Sequence, residues 1–409
     1  MAASTSPAAS SSDPASDAPP AVGTVRFDSG RADVDGGRDL RFEAPIATLE
    51  IGRDDDPRVA LERLQAELDA GRWVAGYLAY EAGYPLQDLP VPDGVEGPLG
   101  WFGIYDRPVH QAAAASSAAG PAAEVAGPAS GTSSGTHDFR FSPSRHVWAT
   151  RVADVHERIR AGATYQLNLT GRMRFRADAG GWRAYRAWRG AQPVPFAAYL
   201  RPSEAHEIVS LSPELFVRSD GRAIWTRPMK GTAPRGRDAA EDERFAVALR
   251  DDPKTRAENV MIVDLLRNDL GRVAAFGSVR ADPLFAVERY ASLLQMTSTV
   301  RAELRPELRG RGLAATLAAL FPCGSVTGAP KRATMQAISE IEDGPRGAYT
   351  GAIGYGAPDG SFVFSVAIRT AEVRGRDGLM GLGCGVLIDS DADAEYDEAL
   401  LKGAFARSA

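Results

Sequence analysis

The chain is 409 residues long, with 53 acidic against 47 basic side chains and a net charge of −6. That length accommodates two or three domains or one large one, and 44% apolar residues supply a sizeable soluble core. The acidic balance argues against a basic nucleic-acid footprint. Two cysteines, Cys323 and Cys384, build neither a disulfide framework nor a cysteine-rich zinc site, and no apolar run approaches the ~20 residues that span a bilayer.

Residues 1–22, rich in Ala, Ser and Pro, read as a disordered tail without the basic start and apolar stretch of a secretory signal; a reducing, cytoplasmic compartment fits. Residues 23–109 read as ordered, with a helix around Asp56 to Leu68 and a strand from Trp73 to Leu78. Residues 110–138 are an Ala/Ser/Gly/Pro-rich low-complexity insertion, and 139–409 are continuous globular sequence. His146 to Ala161 is an amphipathic helix ended by Gly162. Leu215 to Lys230 reads as a hairpin turning at Asp220-Gly221. Asp252-Pro253 opens a helix whose Val260, Val263, Leu266 and Leu270 are expected to face inward. Tyr349 to Tyr355 and Phe362 to Val373 read as two strands joined by Pro358-Asp359-Gly360, and the last helix starts in the Asp391–Asp393 acidic cluster. Strands and helices mix without a βαβα rhythm, which predicts an α+β fold.

One compositional asymmetry bears on chemistry. The chain has 43 Arg and four Lys: Lys230, Lys254, Lys331 and Lys402. A chain this biased towards Arg is expected to have exchanged most lysines that merely needed a positive charge, but arginine cannot replace one where a neutral amine must attack. All five histidines lie at or before His206, so the C-terminal half has no Ser-His or Cys-His dyad of its own. Chemistry there must run on lysine and carboxylates. Glu395, Glu398 and Lys402 fall on one helix face, a pattern equally expected of a solvated face with a Glu–Lys pair. Glu258, alone as ordinary as any acidic residue in a helix first turn, could together with Glu395 and Glu398 supply carboxylates from two helices to one Mg2+. The Gly324–Lys331 turn precedes a helix and exposes backbone N–H groups to an anion, or is simply a tight turn; it lacks the adjacent Gly-Lys-Ser/Thr of a P-loop. Gly383-Cys384-Gly385 is another place of close backbone approach, and Cys384 has no neighbouring His to activate it. Glu214 and Lys230 stand at the open end of the hairpin, and spacing alone does not bring them together.

Taken in order, these segments resemble the chorismate-utilising enzymes. The resemblance runs from about Phe139 to the C-terminus, with Tyr77 to Tyr84 adding an N-terminal likeness. It rests on Tyr165-Gln166-Leu167-Asn168-Leu169, Ser212-Pro213-Glu214, Pro228-Met229-Lys230-Gly231-Thr232, Glu258-Asn259 through Asp269, Gly324 to Lys331, Gly351 to Tyr355, Ile368-Arg369-Thr370, Gly383 to Gly385 and Glu395 to Lys402. It implies a single α+β unit of two large antiparallel sheets packed face to face with helices outside, and Mg2+ held by Glu258, Glu395 and Glu398 against the ring carboxylate of chorismate. It implies substrate contacts from Gln166, Thr232, Ser325, Tyr349, Gly351, Arg369, Gly383, Cys384, Gly385 and Lys402.

Within the family, water-adding enzymes have Lys where this chain has Gln166, so Gln166 resembles the ammonia users. Lys230 resembles the aminodeoxychorismate synthases, where anthranilate synthases usually have Ala. The resemblance thus implies Lys230 as nucleophile at C2 and Glu214 as acid and base at C4, giving 4-amino-4-deoxychorismate for 4-aminobenzoate and folate synthesis. Gln295 departs from the His of anthranilate synthases. No glutaminase signature is present, so a separate glutamine amidotransferase subunit is expected to supply ammonia. Two other readings are an anthranilate synthase component I and a catalytically silent subunit that binds chorismate or a partner.

Overall fold

The computed structural model describes residues 18–29, 39–110, 133–290 and 293–408. Most of the expected tail and insertion lies outside these residues. Within them, the Arg201 guanidinium donates to the Pro20 carbonyl (2.5 Å) and Thr136–Ser142 forms a strand.

Two large sheets, one of ten strands and one of nine, organise the chain, and every strand pairing is antiparallel. The α+β reading and the paired-sheet architecture both hold. Between the sheets, Val25, Phe42, Leu200 and Ile208 from the larger meet Tyr77, Trp101, Ile353 and Tyr355 from the smaller. This is the interdigitated packing expected of two apolar sheet faces. Helices cover the outer faces. Leu61 and Leu64 (helix Pro57–Asp69), Leu266 and Leu270 (Pro253–Gly271) and Leu317 (Leu313–Leu320) bury against Phe102, Phe362 and Phe364 of the nine-stranded sheet. Trp148 and Val152 (Arg145–Arg160), Trp188 (Gly180–Ala191) and Ile338 (Lys331–Ile341) do the same against Leu169 and Phe175 on the ten-stranded one. A third sheet of three strands, Met229–Pro234, Leu293–Thr297 and Ala286–Arg289, was not foreseen.

Three local expectations need correction. Phe362 to Val373 is not one strand: Ser361–Val366 belongs to the nine-stranded sheet and Thr370–Arg374 to the ten-stranded one. Residues 367–369 cross between them, and Arg369 takes a positive φ of 52° to make the corner. The hairpin turns at Gly221-Arg222, one residue later than expected, because the Asp220 carboxylate accepts from the N–H groups of Arg222 and Ala223 and holds that turn. Val260 is 43% exposed, while Ile262 joins Val263, Leu266 and Leu270 in the buried face.

The crossover is double. His206–Ser212 lies in the ten-stranded sheet and Leu215–Asp220 in the nine-stranded one, so Pro213-Glu214 crosses beside residues 367–369. Leu211 donates to the Arg369 carbonyl and Val366 to the Glu214 carbonyl (both 3.1 Å). Pro213 suits the corner because it donates no ladder hydrogen bond. Glu214 and Arg369, widely separated in sequence, are thereby placed on adjacent turns of one seam.

Candidate active site

The site is assembled where this seam meets the strand pair Gln166–Ala177 and Asp377–Val386. These two strands pair along their whole length, with Gly385 opposite Asn168 and Gly383 opposite Thr170. A Cβ on Gly385 would stand 3.0 Å from the Gln166 Nε2 and 3.2 Å from the Lys230 Nζ. The missing side chain is what lets the two nitrogens converge there. Gln166 is 1% exposed, yet neither its Nε2 nor its Oε1 has a hydrogen-bond partner in the protein. A buried orphan amide costs about 1–3 kcal/mol, so it marks a place where a ligand or water completes the structure.

Glu214 is buried, and its Oε1 likewise has no partner. Burial pushes its carboxyl up to about 7, against the pull of the Ser325 hydroxyl and the Lys230 and Lys402 ammonium groups. Such a carboxyl exchanges protons near neutrality, as a general acid or base must. Lys230 and Glu214 do therefore come within electrostatic reach, although the hairpin register alone does not require it.

Lys230 is also in electrostatic range of two carboxylates on neighbouring helices, Glu258 and Glu398. Asp252 caps helix Pro253–Gly271 by accepting from the Thr255 N–H (2.7 Å), which sets Glu258 on the face toward helix Ala392–Lys402. Burial raises the Glu258 carboxyl, Glu395 and Glu398 raise it further, and Lys230 and Lys254 oppose them. Glu398 holds the Lys402 ammonium at 2.7 Å, and Lys402 also donates to the Gly383 carbonyl (3.0 Å). Burial works to raise Glu398, but Lys402, with Lys230 and Lys254, outweighs it and the carboxyl lies low. Glu395 accepts from the Ser390 hydroxyl (2.7 Å). Among the described residues no three His, Cys, Asp or Glu side chains stand at ready metal-binding spacing. In donor chemistry, however, three carboxylates that feel one another's charge from two helices suit a hard divalent cation.

Arg369 makes no ion pair with any described residue; Tyr290 is its electrostatic neighbour, and burial lowers its pKa. A half-buried guanidinium without a carboxylate partner keeps its fork of donors available for a bidentate pair with an anion. The Tyr349 ring packs on Gly381, whose Cβ would lie 1.9 Å from it, and has Cys384 in electrostatic range. Burial pushes the Cys384 thiol far up, as befits an inert packing residue. Two further residues expected to contact substrate, Thr232 and Gly351, have close structural neighbours. The exposed Thr232 donates to the Gln295 Oε1 (3.1 Å), and a Cβ at Gly351 would strike the Leu78 carbonyl oxygen at 2.1 Å.

Sequence reasoning missed two parts of this neighbourhood. Lys254 reaches Glu258 and Glu398 electrostatically, and its signal was the scarcity of lysine itself. The second is the buried network behind the site. Arg346 donates to Glu342 (2.7 Å), Val326 O (2.8 Å) and Asn168 O (2.7 Å), and Glu342 accepts from Thr170 and Arg172. Glu81 receives the N–H groups of Arg346 and Gly347. This bracing fixes the Gly324–Lys331 turn against the Gln166 strand.

The family model described as chorismate binding enzyme matches residues 35–408. The chain belongs to this family. It is 37% identical over 321 residues to an aminodeoxychorismate synthase component 1 from Escherichia coli, covering 77% of this chain and 70% of that one. It is 42% identical over 265 residues to an anthranilate synthase component 1 from Haloarcula marismortui, covering 65% of this chain and 53% of that one. A Streptomyces griseus aminodeoxychorismate synthase is 46% identical over 257 residues, 62% of this chain and 35% of that one. The matches thus span about half and a third of the latter two relatives. In fold, the chain is similar to anthranilate synthase component I from Streptococcus pneumoniae, with a TM-score of 0.75, 24% identity, and coverage of 98% and 95% of the two chains. No helix among the described residues is long and apolar enough to cross a membrane.

Proposed function

We propose that the protein is an aminodeoxychorismate synthase component I, replacing the C4 hydroxyl of chorismate by an amine from ammonia. The observation that carries this reading is the meeting of Lys230 and the unpartnered Gln166 amide over Gly385, within reach of a Glu214 carboxyl that titrates near neutrality. In the proposed reaction the Lys230 amine forms a bond to C2, the two conjugated ring double bonds shift together, and the C4–O bond breaks as Glu214 protonates the departing hydroxyl, which leaves as water. Ammonia then attacks C4, both double bonds return, and the C2–N bond to Lys230 breaks. Glu214, now a carboxylate, accepts the proton that the incoming ammonia sheds. Gln166 is neutral and cannot deprotonate water, which favours ammonia as the second nucleophile.

Arg369 with Tyr349 and Lys402 with the Gly383–Gly385 backbone would hold the two substrate carboxylates. Glu258, Glu395 and Glu398 would hold Mg2+, which when bound neutralises their charge and that of the ring carboxylate. A glutamine amidotransferase subunit in the cytoplasm would supply the ammonia. Product chromatography after incubation with chorismate, Mg2+ and ammonium tests the reading, with and without an added lyase that aromatises aminodeoxychorismate. The expected product is 4-amino-4-deoxychorismate; anthranilate would move the protein to the sister activity, and no turnover would make it a binding subunit.

A further inference from the structure

Lys230 does not sit on a regular strand. Met229–Pro234 pairs with Leu293–Thr297 so that Met229 faces Thr297 and Thr232 faces Gln295. Three steps on one strand answer two on the other, so a bulge falls at Lys230-Gly231. Gly231 takes φ = 76°, and any Cβ there would lie 2.1 Å from the Thr255 Cγ2 on the helix that carries Glu258. Bulges re-aim side chains next to active sites. This one turns the Lys230 ammonium toward Gly385 and out of its own ladder.

What holds the bulge is a single side chain across the ladder. The Gln295 Nε2 donates to the Gly231 carbonyl at 2.7 Å, and its Oε1 accepts from the Thr232 hydroxyl at 3.1 Å. The amide orientation is fixed chemically, because a backbone carbonyl only accepts. Leu294 and Met296, on the opposite face of the strand, are fully buried under helix Ala239–Asp251. The strand is therefore anchored beneath, and its polar face is left to grip the bulge.

We infer that Gln295 is a positioning residue for Lys230, clamping the bulge that presents the lysine to substrate. This rests on the reading of Lys230 as the group that meets chorismate. The bulge has two moving parts, a glycine with wide backbone freedom and a long flexible lysine. Gln295 bonds the carbonyl of the first and the residue after it, so it fixes where the second begins.

The test compares Gln295→Met and Gln295→Glu with wild type, using ammonium-dependent turnover and mass spectrometry of protein trapped with chorismate without ammonia. Gln295→Met keeps the volume but loses both bonds. It is expected to lower kcat by about ten- to a hundredfold, the scale of a small misplacement, with KM for chorismate within about twofold. The Gln295→Glu side chain mimics glutamine only when protonated. Its turnover is expected to approach wild type at low pH and to fall as the new carboxylate ionises against the Gly231 carbonyl. Glu288, directly opposite Gln295, and Lys230 are the charged groups that flank it on the two neighbouring strands; Arg289 is turned away to Asp242 and Glu243. Wild-type kcat in Gln295→Met, or a Gln295→Glu pH profile that matches wild type, overturns the clamp. A wild-type adduct absent from the Lys230 peptide, with kcat still lost in Gln295→Met, removes the covalent role and leaves the clamp standing.

Discussion

Two polar interiors lie side by side along strand Gln166–Ala177, and they obey opposite rules. Around Asn168 and Thr170, the Arg346–Glu342–Arg172–Glu81 network is buried and bonded throughout, each carboxylate receiving several donors. At Gln166, two residues away, and at Glu214, buried polar atoms have no protein partner at all. A buried charge that folding uses must be paired and hydrogen-bonded. A buried polar group that folding leaves unpaired costs stability, and here such groups converge on one lysine and one glycine cradle. Core atoms such as the Trp148 and Trp188 indole nitrogens also lack a partner, so it is the convergence around Lys230, not the missing bond alone, that distinguishes the candidate site from the scaffold.

The largest expected effect is on the site side. Lys230→Arg keeps the charge but cannot attack carbon, so amination is expected to fall by roughly ten-thousandfold, with an unchanged unfolding midpoint in urea. Near-wild-type turnover would turn Lys230 into an electrostatic contact. On the scaffold side, Arg346→Met leaves Glu342 and the Val326 and Asn168 carbonyls short of donors and is expected to cost about 3–5 kcal/mol in urea unfolding. A loss below about 1 kcal/mol would erase the contrast between the two regions.

The comparison is sharpened by Gln166→Leu. Removing an unbonded buried amide is expected to raise unfolding free energy by about 1 kcal/mol while abolishing discrimination between ammonia and water. Destabilisation by that variant would mean the amide has a structural role. The companion change Gln166→Lys is expected to divert part of the flux to a hydroxylated chorismate isomer, detected by chromatography.

The smallest effects concern protons. Glu214 titrates at about 7 when folded against 4.5 as an ordinary carboxyl. If it protonates the leaving hydroxyl, kcat/KM falls as pH rises through about 7, and Ser325→Ala, which removes a stabiliser of the carboxylate, moves that limb upward by less than about one unit. The stability sign follows from the same shift. Between about pH 4.5 and 7 the folded chain keeps a proton that the unfolded chain has released, so stability contributed by this group declines as pH rises. Glu214→Gln is expected to flatten that slope; an unaltered slope would mean that the carboxyl is not raised.

Much of the site was legible because its chemistry depends on residue type. The scarcity of lysine, four among 43 arginines, drew attention to four positions; three of them, Lys230, Lys254 and Lys402, lie in electrostatic range of Glu398, and the first two also of Glu258. The fourth, Lys331, is a structural ion pair with Asp269 at 2.8 Å. Helix ends were legible from caps such as Asp252 and Asp391, whose side chains bond the first turn. The passage from one sheet to the other was not, because alternation continues through Phe362 to Val373 and period two carries no information about which sheet a strand joins. The Gln295 clamp was hidden for a related reason: a bulge is a property of two strands in register, and neither strand shows it alone.

The paired crossover has a mechanical consequence. Between Val366 and Thr370 the chain has three residues to pass from one sheet to the other, and between Ser212 and Leu215 it has two. At no more than ~3.6 Å of reach per residue, these are taut tethers, cross-tied to each other by backbone hydrogen bonds. Pulling the two layers apart, by force along the chain or by swelling of the apolar filling between them, loads these tethers first. Glu214 and Arg369 belong to these two crossovers, so the positions of their backbones are tied to the spacing of the layers.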